Sequence, residues 1–245
     1  ARTPMGGFQG DLAGVTSPEL GAAVIKAAIE RAGISADQVD EVIMGSILTA
    51  GVGQSPARQA MRLAGVPDST GAINLNKLCG SGLRAIMDAT NAIKAGEFDI
   101  IVAGGMESMT NAPYVLPKAR SGMRMGHGEI KDTMLRDGLE DAETGKLMGA
   151  FAQEMADQKA MTREQMDEFA IQSLNRANTA IREGHFKDEI VPITVKTRKG
   201  EVIIDTDEEK AEPDTETVSD VDTEATADKE AEAEDVPRPE PEEMD

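Results

Sequence analysis

Cysteine is almost absent from this 245-residue chain: there is one. A single thiol excludes an internal disulfide framework and makes cytoplasmic chemistry the expectation. Long apolar runs are lacking too. Stretches such as Ile100 to Gly105 fall far short of the roughly 20 residues a membrane-spanning helix needs, so no membrane partner is expected. No charged-then-apolar leader opens the chain, which argues against secretion. Basic charge is scarce, with 25 Lys and Arg against 45 Asp and Glu and a formal charge of −20; nucleic acid is therefore not an expected partner. What remains is enough length, 40% of it apolar, for one large or two small domains with a real core.

The charge is unevenly placed. Residues 207–245 hold 18 acidic and three basic side chains, a net −15, whereas the 27 acidic and 22 basic residues before them leave only −5. That last stretch has no aromatic residue, and its large apolar side chains are Val218, Val221, Val236 and Met244. Ordering a backbone costs about 1–2 kcal/mol per residue, more than such a composition can offset by burial. A disordered, self-repelling acidic tail is the expectation for 207–245.

Before it, periodicity and punctuation predict alternating helices and strands. Ser17 as N-cap and Pro18 at the first position start a helix that Gly33 stops, with Leu20, Val24, Ala27 and Ala28 as its apolar stripe. Val39 to Gly45 reads as a buried parallel strand, Pro56 opens a second helix that Gly65 closes, and Ala72 to Asn76 is a further strand. Cys79-Gly80-Ser81-Gly82 leads into a helix to Lys94, with Leu83, Ile86, Met87, Thr90 and Ile93 expected on its inner face. The strand Phe98 to Ala103 follows. Strand, glycine turn, helix, strand is a βαβ unit, so the fold class expected is α/β with a mostly parallel sheet between helices. Residues 107–148 read as a long excursion from the sheet, of a kind that is usually functional or disordered. Thr162 and Gln165 then form a capping box for a helix ending at Gly184, with Met166, Phe169, Ala170, Ala177 and Ile181 expected inward. Two strands around Lys199-Gly200 predict a hairpin.

Cys79 is the candidate nucleophile. It lies between a strand and a helix start, where free N–H groups and the helix dipole favour a thiolate. The neighbouring glycines permit a sharp elbow and close substrate approach, and the Cys79 amide can face a developing oxyanion. The alternative from position alone is a small buried hydrophobe, the commonest role of a free cysteine. His127, in a Met-Gly-His-Gly turn, and His185, past a helix stop, read as surface residues, and no metal site is expected. Glu107 reads as a structural hydrogen-bonding residue.

Several motifs together resemble thiolases: Ala1-Arg2-Thr3-Pro4, Gly53 to Gln59 (GQSPARQ), Asn76 to Ala85 (NKLCGSGLRA), Gly104 to Met109 (GGMESM), Lys131 to Met134, Asp137-Gly138-Leu139 and Asp188 to Pro192. The likeness runs from Ala1 to about Glu208, and the spacing of the excursion is most similar to the acetyl-CoA C-acetyltransferase (acetoacetyl-CoA thiolase) subfamily. The resemblance implies a βαβαβαββ half with an inserted loop domain. The expected divisions are an α/β core over 1–106 that lacks the family's first strand, a CoA-binding loop domain over 107–188, a returning hairpin over 189–206 and a disordered acidic tail over 207–245. It also implies an acyltransferase in which Cys79 takes an acyl group from acyl-CoA and passes it to a second acetyl-CoA, or the reverse thiolysis. Leu139 and Met148 would line the path of CoA and its pantetheine. Coenzyme A enters as part of substrate and product, so no separate cofactor is implied, and the substrate partners implied are acetyl-CoA and acyl-CoA. A half-fold without its first strand would leave a sheet edge and an apolar face uncovered, so a homo-oligomer (dimer or tetramer), or a partner supplying the other half, is expected.

The resemblance further implies a second half with a Gly-His-Pro histidine, a second cysteine and a water-holding asparagine, motifs these 245 residues do not contain. Impaired turnover is the expectation, and the competing one is a non-catalytic thiolase-like protein that binds CoA or a partner. Leu147 stands where many of these acetyltransferases carry a histidine. Lys118, Arg120, Arg124, Lys131 and Arg136 are candidates for pairing with CoA phosphates, with ordinary solvated loop charge as the alternative.

Overall fold

Thr16 and Glu19 start the first helix. The Thr16 N–H and hydroxyl both donate to the Glu19 carboxylate, at 2.8 and 2.7 Å, so α1 (Ser17–Ala32) opens one residue earlier than the Ser17 cap expected. Pro18 falls at the second helical position, where its missing N–H costs nothing. Gly33, left-handed at φ 69°, ends the helix as expected. Leu20 and Ala27 are buried, but Ile25 and Ile29 are the deepest large side chains on this face, and the expected stripe was centred one residue away from them. The computed structural model describes residues 1–208. The acidic stretch 209–245, and with it nearly all of the expected tail, lies outside them. Asp207 and Glu208, the first residues of that acidic run, are described. Asp207 pairs with the Arg2 guanidinium at 2.6 and 2.9 Å, and Glu208 accepts the Gly7 N–H at 2.7 Å.

The chain then builds a three-stranded parallel sheet. β1 (Glu41–Gly45) lies between β2 (Gly71–Leu75) and β3 (Ile101–Gly105), each neighbour in parallel register. All five residues of β1 are buried, as its near-continuous apolar sequence predicted. α1 and α2 (Pro56–Leu63) cover one face, where Ile25, Ile29, Val42, Met44, Ala57, Ala60 and Met61 form the main core. On the other face Ile43 packs on Ala85 and Ala89 of α3 (Ser81–Ala95). An α/β fold with a parallel sheet between helices is what the sequence predicted.

The expected inner face of α3 was wrong. Ser81, Ala85 and Ala89 are buried against the sheet, whereas Leu83, Ile86, Met87 and Ile93 are 67, 50, 48 and 44% exposed. The helix lies too close to the strand backbones for large side chains, so small residues face inward and the bulky stripe faces out.

Beyond β3, the excursion contains β4 (Tyr114–Val115) paired antiparallel with β5 (Lys131–Asp132) and a π-helical turn, Leu135–Leu139. α4 (Met148–Gln158) and α5 (Arg163–Glu183) follow. Thr162 and Gln165 cap α5 reciprocally, as predicted, at 3.0 and 3.3 Å. Its expected buried face was wrong as well: Ala180 alone is buried, Ala170 and Ala177 are exposed, Met166 and Ile181 are half-buried, and Phe169 is 71% exposed. No other named helix or strand packs extensively on α5 among the described residues, so its apolar period has no core to face. The predicted hairpin is present as β6 (Ile193–Thr197) and β7 (Gly200–Ile204). Ile193 and Val195 join Leu12, Val15 and Leu20 in a second core. No described helix is long and apolar enough to cross a membrane.

Candidate active site

Because the three strands run parallel, their carboxyl ends share one edge of the sheet, the position where open α/β sheets hold their ligands. Three loops leave this edge: Ser46 onward after β1, Asn76 to Gly80 after β2, and Met106-Glu107 after β3.

The second loop is the elbow that carries Cys79. Asn76 Oδ1 accepts the Leu78 N–H at 2.9 Å, an Asx turn that bends the chain as it leaves β2. Leu78 then takes φ 48°, a left-handed conformation that is uncommon for a branched side chain and characteristic of over-determined functional turns. Ser81 staples the turn: its hydroxyl accepts the Lys77 N–H at 2.8 Å and donates to the Leu78 carbonyl at 2.6 Å. Cys79 sits at the apex, exposed, immediately before the N-cap Gly80 of α3. The thiol is not the small buried hydrophobe that position alone left open.

The height of this apex is set by a seam of glycines. A methyl group on Gly45 would lie 2.6 Å from both the Gly82 nitrogen and the Ser81 carbonyl carbon, and one on Gly105 would lie 3.4 Å from Gly82 Cα. Only bare backbone lets the first turn of α3 rest directly on the ends of β1 and β3. The Met106 N–H to Gly45 carbonyl bond, at 2.9 Å, joins the same two ends.

Glu107 behaves as expected, as a structural acceptor: its carboxylate takes the Ile47 N–H at 2.6 Å and the Leu48 N–H at 3.2 Å. Leu139 is half-buried at the end of the π turn, and Met148, 46% exposed, begins α4. An antiparallel bridge between Glu140 and Leu147 brings these two residues to adjoining positions. Of the five basic candidates, Lys131 pairs with Glu129 at 3.1 Å and Arg136 with Glu140 at 3.6 Å, while Lys118, Arg120 and Arg124 are exposed. His185 contacts Glu183 at 3.0 Å, and His127 is exposed. Among the described residues no hydrogen bond involves the Cys79 sulfur, and no cluster of three metal-ligating side chains occurs. The grooves beneath the end of α5, about 350 Å³, and along α2, about 610 Å³, do not include Cys79.

Sequence reasoning located the elbow but missed what holds it, namely Asn76, Ser81 and Gly45. The Asn76-x-Leu78 spacing was a readable Asx-turn signal. Nothing local marked Gly45 as a contact for a helix that begins 36 residues later.

Comparison with known proteins agrees with this architecture. The family described as "Thiolase, N-terminal domain" matches residues 1–231. The chain is 53% identical over 209 residues to an acetyl-CoA acetyltransferase of Pseudomonas aeruginosa, covering 85% of this chain and 53% of that protein. The figures are the same for the acetyl-CoA acetyltransferase of Cupriavidus necator. A probable acetyl-CoA acetyltransferase of Escherichia coli is 46% identical over 208 residues, 85% of this chain and 53% of that protein. The chain thus spans about half the length of the curated relatives it matches. With the parallel sheet, the Cys-Gly-Ser-Gly elbow and these matches together, the chain belongs to the thiolase family.

Proposed function

We propose that this chain supplies the nucleophile of a thiolase-type acyltransfer. In the first step the Cys79 sulfur forms a bond to the acyl carbon of acetyl-CoA, the thioester bond to CoA breaks, and the thiol proton leaves with the CoA sulfur. In the second, the methyl carbon of another acetyl-CoA loses a proton and bonds to the acyl carbon, the acyl–sulfur bond to Cys79 breaks, and that proton ends on the Cys79 sulfur, giving acetoacetyl-CoA and restoring the thiol; thiolysis is the reverse. The observation that carries this reading is one exposed thiol on a strained elbow, at the amino end of a helix and the carboxyl edge of a parallel sheet. The Cys79 amide would hold the oxyanion, Leu139 and Met148 would line the pantetheine path, and CoA would serve as substrate and product with no separate cofactor. The division into core (1–106), CoA-binding loop domain (107–188), hairpin (189–206) and acidic tail (207–245) belongs to the same proposal, as does a cytoplasmic setting.

Intact-protein mass spectrometry after incubation with acetyl-CoA tests it. One acetyl group per chain, absent in Cys79→Ala, is expected; equal labelling of Cys79→Ala refutes the assignment. A second reading, a CoA-binding protein without turnover, is favoured by the lack, among the described residues, of any base hydrogen-bonded to the Cys79 sulfur. General acid–base assistance is worth about 10²–10⁴-fold, so a single transfer without repeated CoA release is expected of this polypeptide. Multiple turnovers would exclude that second reading. The exposed stripe Leu83, Ile86, Met87 and Ile93 supports association with a second copy, since apolar patches of this kind mark interaction surfaces. Sedimentation showing a monomer at all concentrations would refute it.

A further inference from the structure

Glu107 sits on β3's exit loop, yet both its bonds go to the exit loop of β1. Its carboxylate accepts the amides of Ile47 and Leu48, at 2.6 and 3.2 Å, fixing two successive residues of the β1–α2 connection. Charge-assisted bonds of this kind are stronger than neutral ones. Leu48, held in this way, is 4% exposed, and its side chain turns toward the excursion. A methyl group built on Gly138 would meet Leu48 Cδ2 at 3.5 Å, so the leucine lies on the open side of Gly138, about one methyl group from the π turn. Five residues carry that turn, Leu135–Leu139, and its closing bond runs from the Glu140 N–H to the Leu135 carbonyl at 2.8 Å. π-type turns are rare and occur frequently at functional sites. Gly51 of the same connection also faces the excursion: an added methyl would lie 3.4 Å from Pro113 Cγ. Pro113 in turn is tied to Thr133, which is buried, by a hydroxyl bond of 2.6 Å.

We propose that Glu107 is a positioning residue for the substrate path: through Leu48 it sets the π turn that presents Leu139. The role extends the reading of Glu107 as a structural hydrogen-bonding residue to a defined mechanical path, carboxylate to loop amides, Leu48 to Gly138, Gly138 to Leu139. It rests on the proposed place of Leu139 beside the pantetheine. Glu107→Gln keeps the length of the side chain but turns one acceptor oxygen into a donor that faces an N–H. Removing the leucine contact by Leu48→Ala leaves the carboxylate bonds in place.

Hydrogen exchange read by NMR or fragment mass spectrometry on the full chain decides the mechanical part. In Glu107→Gln the Ile47, Leu48 and Glu140 amides are expected to exchange about tenfold faster or more. In Leu48→Ala the Glu140 amide is expected to do so while Ile47 stays within about threefold. Unchanged Glu140 exchange in Leu48→Ala overturns the proposal, whether or not Glu107→Gln folds. A second arm addresses the substrate path. The acetyl-CoA concentration for half-maximal acetylation of Cys79 is expected to rise about five- to tenfold in Leu48→Ala, with the limiting rate and the rate of alkylation by iodoacetamide within about twofold. Equal loss with both reagents would make Leu48 a general support of the elbow and overturn the path. Absence of acetylation in the wild-type chain would refute the function proposed above, and the exchange result would still decide whether Glu107 sets the turn.

Discussion

Gly45→Ala places one methyl group where the first turn of α3 meets the end of β1. Its Cβ would lie 2.6 Å from the Gly82 nitrogen and from the Ser81 carbonyl carbon, and 2.8 Å from Ser81 Cβ. Ordinary contact begins near 3.4 Å, so the helix start must retreat by about 0.8 Å. The obstructing atoms are backbone and cannot rotate away. Overpacking that shifts backbone costs about 1–3 kcal/mol. At about 2–4 °C per kcal/mol for a chain of this size, the middle of that range lowers the melting temperature by about 4–8 °C. Cys79 rides on the displaced turn. Misplacement near 1 Å is worth up to about 10²-fold in rate, so acetylation by acetyl-CoA should fall at least about tenfold. Calorimetry and the mass-labelling assay measure the two effects. Gly149→Ala is the control: it lies in the first turn of α4 with nothing within 4 Å of the added methyl, and should be neutral or stabilising by up to about 1 kcal/mol. A Gly45→Ala protein that melts within a degree of wild type and labels equally fast would refute the seam as the support of the elbow.

Glu41 is buried beside Gly71 and near Glu97, and desolvation followed by the like charge raises its pKa above the ordinary carboxylate value. Its ionised form is the one the fold disfavours, so the penalty is absent at low pH and grows as pH rises through the raised pKa. Glu41→Gln should therefore melt above wild type at pH 8 and converge with it toward pH 4; a gap that widens on acidification contradicts the assignment. Asp207 has the opposite sign, its pKa lowered by the Arg2 guanidinium against a smaller desolvation effect. Its stabilisation is full above the unfolded value of 3.8 and is lost as pH falls through the lower folded one. Asp207→Asn should cost about 1–3 kcal/mol at pH 7 and little at the acid end of the urea-denaturation series. Thr162→Ala removes the cap of α5 and should cost about 1 kcal/mol locally, seen as faster exchange in its first turn without a change in Cys79 labelling.

Much of the fold was legible because its signals are local. The helix stops at Gly33 and Gly184 both adopt the left-handed conformation their sequence positions suggest, and the Thr162–Gln165 box and the Lys199-Gly200 hairpin lie where spacing put them. The elbow was legible for the same reason: a cysteine between a strand and a helix, wrapped in small residues. The faces of α3 and α5 were misread because hydrophobic periodicity identifies an apolar stripe but not what lies opposite it. On α3 a second stripe, Ser81, Ala85 and Ala89, was small enough to touch the sheet and took the inner position. On α5 no other named helix or strand packs extensively among the described residues.

From the amino-acid order alone came the βαβ repeat, the position of the thiol before a helix, the charge imbalance toward the carboxyl end and the motifs that mark the family. These depend on neighbours within a few residues, where backbone conformation and capping are decided. Tertiary structure alone decided that Gly45 must be bare, that Glu107 spans from one strand's exit to another's, and that the bulky face of α3 points outward. Each of those depends on atoms tens of residues apart in the chain meeting within a few ångströms, a coincidence that packing creates and sequence spacing does not encode.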